Sequence, residues 1–196
     1  SELLVDAIDK QTFTFGVQNL QTQIVTINKS ELSDFEIKQK EISNKGAKTT
    51  YTCVGTLTKK SAVLSLEAEI IYSYSNQWNF SSVQITSKLV SVNAVGTWSG
   101  SNVYGRTCIL KITSVDKDGN VKGTYTDKGD RYYKPYSYNI SGKLDMATLR
   151  FTLDAGSLLS AKPYSAFRAK DITALLKIDN CTITGNADLK FTVALK

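Results

Sequence analysis

Hydrophobic and polar positions alternate through most of this chain, but not at its start. In SELLVDAID, Leu3, Leu4, Ala7 and Ile8 recur at helical spacing, and Ser1-Glu2 stand where an N-terminal cap would be. Residues Thr12–Val25 fit neither the helical nor the strand period. Strand patterns then take over. DFEIKQKEIS sets Phe35, Ile37 and Gln39 against Glu36, Lys38 and Lys40, and NKG reads as a turn. KTTYTCVGTL and AVLSLEAEIIYSY read as long strands joined at TKKS, and a turn at SN leads into QWNFSSVQI. Leu64, Leu66, Ala68, Ile70 and Tyr72 share one face, with Ser65, Glu67 and Glu69 opposite. The pattern predicts a helix packed on a four-stranded antiparallel meander, a small α+β domain. Trp78 is expected to pack in the core or against the sheet.

From Gly96 onward the strand signals come in regular succession. GTWSGS, RTCILKITSV, VKGTYTD, YSYNISGKL, ATLRFTLDA, a segment around YSAFRAKD, ITALLKIDNCTIT and DLKFTVALK make about eight strands. In the last, Leu189, Phe191, Val193 and Leu195 alternate with Lys190, Thr192 and Lys196. Short polar turns join them, which predicts an up-and-down antiparallel barrel or a sandwich. SKLVSVNAVG (Ser87–Gly96) reads as a packed or semi-rigid junction, so the expected domains are 1–90 and 91–196. The fold class is mainly β, α+β overall.

Composition narrows the chemistry. Of 196 residues only Pro135 and Pro163 are proline, and Thr, Ser, Val, Ile and Tyr are frequent, as strands require. Histidine is absent, which excludes Ser-His-Asp and Cys-His catalysis and the commonest metal ligand. Cys53, Cys108 and Cys181 are odd in number and show no CxxC spacing, so a closed disulfide framework and a zinc site are not expected. Cys108 and Cys181 could pair, but small buried thiols are the preferred reading. Charge is uneven. Up to Leu89 nine lysines balance nine acidic residues, while the later part holds all four arginines and the whole net charge of +6. That charge is dispersed and lysine-rich, with no nucleic-acid-binding module, and suits a solvated surface near an acidic cell wall. No run of about 20 apolar residues and no signal-peptide pattern occurs. The start at Ser1 rather than Met leads to the expectation of a trimmed piece of a longer precursor, its signal or anchor removed. Abundant Lys, Asn and Ile suit an AT-rich bacterial source.

Two resemblances follow from these motifs. The N-terminal helix, the long antiparallel strands and the closing YSYSNQWNFSSVQI resemble the cystatin-like domains of bacterial surface proteins and lipoproteins. That resemblance implies a binding, dimerisation or spacer module. GTW, then DGNVKGTY, then YNISGKLD, then a terminal DLKFTV resemble the calycin barrels, most of all the avidin-like ones. The resemblance implies an eight-stranded barrel with a ligand at one mouth. It maps the family's polar site residues onto the region of Ser99 and Ser101, onto Tyr125 and Asp127, and onto Asp188. The family's later binding tryptophans have no counterpart, because Trp98 is the only tryptophan of this half. Biotin is therefore not the expected ligand; a barrel with other cargo, or none, is. Trp98 is expected to plug the closed end.

Two further stretches carry candidate chemistry. DKGDRYYKPYSY adds Arg131, Tyr133 and Tyr136, and KPYSAFR repeats its aromatic-plus-cation character. Such groups suit a glycan, a peptide or a cell-wall component. The competing reading is amphipathic tyrosines lining a sheet. DKDGN resembles a calcium loop, but its glycine is misplaced for one and no bidentate Glu follows, so a tight hairpin turn is preferred. The expectation is a non-enzymatic extracellular binding module without cofactor or metal. A spacer within a longer surface protein is the alternative, and a hydrolase working through carboxylates comes third.

Overall fold

The helical spacing at the start forms α1 (Glu2–Ile8), which buries Leu4 and Ile8. The computed structural model describes residues 2–16, 22–160 and 162–196, so the expected cap at Ser1 lies outside the described residues. Two compact units divide the chain, Ser1–Val92 and Asn93–Lys196. Among the described residues no helix is long and apolar enough to cross a membrane.

The ambiguous stretch after α1 contains two short antiparallel strands, β1 (Thr12–Phe15) and β2 (Gln23–Thr26). Phe13, Phe15 and Val25 are buried. Four residues are too few for an alternation to stand out. The main sheet follows in sequence order: β3 (Leu32–Ser43), β4 (Lys48–Lys59), β5 (Ala62–Ser75) and β6 (Gln77–Val92). Its central strands bury one face through Cys53, Leu57, Leu64, Leu66, Ala68 and Ile70, while Glu67 and Glu69 are exposed.

The edge strands depart from the sequence reading. Register shifts interrupt β3 between Ser33 and Glu36 and between Ile37 and Gln39, and they break the alternation expected there. Such bulges twist an edge away from further pairing. Trp78 is 48% exposed and rests on Tyr74, with ring centroids 5.5 Å apart. Of the two places expected for it, Trp78 takes the sheet and not the core: it packs on its cross-strand partner at the surface, just past the Asn76 turn of the β5–β6 hairpin. Ser87–Val92 is not a linker either, since it pairs with β5 up to Val92 opposite Ala62. Its mixed polarity is that of an edge strand open to water, and residues 93–95 alone join the two units' elements.

The second unit is a closed barrel of eight antiparallel strands. They are β7 (Gly96–Asn102), β8 (Thr107–Val115), β9 (Asn120–Asp127), β10 (Tyr136–Asp145), β11 (Arg150–Leu158), β12 (Ile172–Lys177), β13 (Thr182–Ala187) and β14 (Leu189–Leu195). Each strand pairs with the next, and β14 returns to β7 with Leu195 opposite Trp98 and Phe191 opposite Asn102. Closure leaves the barrel no free sheet edge. The expected count of eight is met by a different division. YSAFRAKD is connection, not strand, while ITALLKIDNCTIT splits into β12 and β13 around a turn in which Cys181 has φ 49°. An Asp179-Asn180 pair is sufficient turn chemistry to break an apolar run.

The interior is packed solid. Trp98, Leu110, Ile112, Tyr125, Tyr138 and Phe151 all lie below 2% exposure. Trp98 enters at the start of β7 and donates from Nε1 to the Ala94 carbonyl at 2.9 Å. The neighbouring strand β14 comes close here, since a Cβ on Gly100 would lie 2.0 Å from the Thr192 carbonyl oxygen. All three cysteines are free and buried. DKDGN is a tight turn: Gly119 has φ 77°, and the Asp116 carboxylate accepts from the backbone N–H of Asp118 and Asn120 and from the Asn120 amide.

Candidate functional site

Up-and-down topology sends alternate connections to the same end of a barrel. The β7–β8, β9–β10, β11–β12 and β13–β14 connections thus share one mouth, at the end opposite the start of β7. Along β7 the inward row is Trp98, Gly100 and Asn102; Arg106, just before β8, leads into the row Cys108, Leu110 and Ile112; along β9 it ends in Tyr125 and Asp127. Each inward row therefore turns polar as it reaches this mouth.

Those polar ends form one network. Asp127, 1% exposed, accepts from Arg106 Nε at 3.2 Å, from Asn102 Nδ2 at 3.1 Å and from the Gly129 backbone N–H at 2.8 Å. Asn102 Oδ1 in turn accepts from the backbone N–H of Tyr104 and Arg106. A buried carboxylate is tolerated only when so engaged. The Arg106 guanidinium lies 4.8 Å from the Tyr133 ring centre and 5.8 Å from that of Tyr104. Tyr133 is held there by a self-braced loop, in which Asp130 accepts from the backbone N–H of Tyr132 and Tyr133.

Below this network the barrel is stoppered by aromatic rings. Tyr125 packs against Tyr138 and Phe191, each at 5.5 Å, and its hydroxyl donates to the Cys108 sulfur at 3.1 Å. Burial pushes the phenols of Tyr125, Tyr136 and Tyr138 well above their ordinary value, so they stay protonated donors. Burial likewise raises the Cys108 thiol, which removes it as a nucleophile at neutral pH.

Above the stopper lies a pocket of about 170 Å³. Its walls include Tyr104, Arg106, Tyr133, Tyr136, Tyr164 and Phe167, with Lys134 and Asp188 at its polar side. Phe167 anchors the β11–β12 side, packing on Tyr136 at 4.6 Å and Tyr164 at 5.6 Å. Among the described residues no hydrogen bond or ion pair engages Lys134 or Asp188. Two larger hollows lie on the first unit's sheet, about 490 Å³ over its Ser/Thr/Glu face and about 460 Å³ along Ile37, Tyr51, Tyr72 and Trp78. Neither gathers rings and opposite charges as the barrel mouth does.

The residues expected from sequence meet different fates. Tyr133, Tyr136 and Asp188 converge on the pocket. Tyr125 and Asp127 sit beneath it, in the stopper and the buried network. Ser99 and Ser101 do not reach it, because strand alternation turns them away from Trp98 and Asn102 to the outside of the wall. Arg131 stacks on Tyr132 at 4.5 Å at the exposed loop and does not line the pocket. Tyr164 and Phe167 come from KPYSAFR, the second aromatic-plus-cation stretch, while Tyr104 and Arg106 were not named from the sequence. For Arg106 a signal existed: a charged residue in the same row as Cys108, Leu110 and Ile112.

No family model, no curated protein and no solved structure matches this chain. What the molecule does has to be argued from the chemistry of this mouth.

Proposed function

We propose that the chain is a non-enzymatic binding module working outside a bacterial cell, with the tyrosine-rich barrel mouth as its binding face. In this reading the barrel is calycin-like and the helix-and-sheet unit cystatin-like. One observation carries it: five aromatic rings, four from three separate connections and Tyr136 from the start of β10, meet around one concave pocket on a barrel whose interior is otherwise filled. Pockets with convergent polar groups in apolar walls are the usual form of a ligand site. The buried carboxylate and the phenols beneath are committed to hydrogen bonds, which favours recognition over proton transfer.

The spacer reading keeps one observation of its own, the filled interior, since a packed barrel is also what a rigid structural domain needs. A glycan array and a peptidoglycan pull-down with the full chain separate the two. Saturable capture, abolished by Tyr133→Ala with an unchanged melting temperature, is the expected result. Blank results in both assays favour the spacer. Protease accessibility of the protein on intact cells tests the location.

A further inference from the structure

We propose that the mouth pocket takes a single carboxylate-bearing sugar residue, the end of an acidic glycan; this rests on the binding-module reading above. The argument starts from Arg106. Its side chain is 8% exposed, and its bond to Asp127 runs through Nε. Among the described residues nothing hydrogen-bonds its two terminal nitrogens. The one sealed and unpartnered side-chain polar atom among those residues is Ser61 Oγ, so the Arg106 fork is reached from the pocket it lines. Two parallel N–H donors on a planar fork fit a carboxylate. Tyr133 and Tyr104 hold the guanidinium in place and pre-organise the fork.

The other groups restrict the remainder of the ligand. Lys134 adds a second cation to the pocket's lining, and Asp188 adds a carboxylate acceptor there. A carboxylate alone leaves Asp188 unused; a sugar ring supplies hydroxyl donors to it and presents C–H faces to the tyrosines. Asp188 also disfavours a dianionic phosphate through like charge. A volume of about 170 Å³ is below that of drug-sized ligand sites and holds one ring, with the rest of a chain outside. The net charge of +6 lies entirely in the later part of the chain, which would draw an acidic polymer toward this unit.

The test is an amide NMR titration of the full chain with methyl glucuronide, methyl glucoside and N-acetylalanine. Glucuronide should give saturable shifts confined to residues 103–106, 128–136, 162–168 and 188–189. Glucoside and N-acetylalanine should each bind about tenfold more weakly, as expected for loss of one charge-assisted contact or of the ring. Arg106→Lys should remove most of the affinity. Because that change touches the buried ion pair, Lys134→Gln and Tyr164→Ala, both at exposed positions, serve as second variants and should each weaken glucuronide several-fold with unchanged melting. Glucoside binding as tightly as glucuronide overturns the carboxylate and leaves the binding-module reading standing. N-acetylalanine binding as tightly overturns the sugar in favour of a peptide terminus. No saturable shift at the mouth with any of the three overturns this assignment, and the glycan array and pull-down then decide the module itself.

Discussion

Asp127 and Arg106 are the residues on which the mouth depends. Asp127→Asn keeps the shape of the side chain but strips the charge that balances a guanidinium almost fully out of water. Breaking a buried pair by losing one partner costs about 3–5 kcal/mol. Urea unfolding should therefore shift by about that amount, and a shift within experimental error would show the pair to be ornamental. The thiols make a second prediction at this scale. Burial raises Cys53 and Cys108, and all three cysteines are buried and free. Iodoacetamide at neutral pH should leave the folded protein unlabelled and label all three after denaturation without reductant, as read by intact mass. Residue identity was partly legible beforehand. Tyr133 and Tyr136 stand in a stretch where rings and charges cluster, and the avidin-like resemblance points to Asp188; the same resemblance points to Ser99 and Ser101, whose parity along β7 is opposite to that of Trp98.

Turns are where single elements can be tested. Gly119 has φ 77°, and a Cβ there would lie 2.3 Å from the Leu144 carbonyl oxygen. Gly119→Ala should cost more than about 1 kcal/mol, because strain and a backbone clash add. Acidic residues brace three of the barrel's turns. The Asn120 amide holds the Asp116 carboxyl below its ordinary value, the Tyr132 backbone N–H does so for Asp130, and the Thr148 hydroxyl for Asp145. Their folded values lie below the unfolded one, so the stabilisation is present above about pH 4 and is lost as pH falls through the lower folded values. Melting temperature should drop on acidification below about pH 4, and Asp145→Asn should flatten the drop. Element type was readable wherever alternation ran long, as in β4, β5 and β14. It failed at β1 and β2, which are short, at the last residues of β6, Ser87–Val92, whose exposed edge mimics a junction, and at the β12–β13 turn, hidden inside an apolar run.

Each unit carries one tryptophan, and the two stand in opposite environments, Trp98 at 0% and Trp78 at 48% exposure. Acrylamide should quench Trp78 readily and Trp98 hardly at all. In Trp78→Phe the remaining emission should be blue-shifted and report barrel unfolding alone; strong quenching of that variant would contradict the packed interior. By itself the sequence determined the strand periods, the eight-strand count, the helix at the start, the inward place of Trp98 and the exclusion of histidine chemistry. These follow from local backbone geometry and composition, which neighbouring residues suffice to express. Only the tertiary structure decided that β14 closes on β7, that Arg106 meets Asp127 under the mouth, and that Tyr104, Tyr133 and Tyr164 surround one pocket. Those contacts join residues far apart in the chain, and a period of two says which face a side chain takes but never which strand or loop will lie across from it.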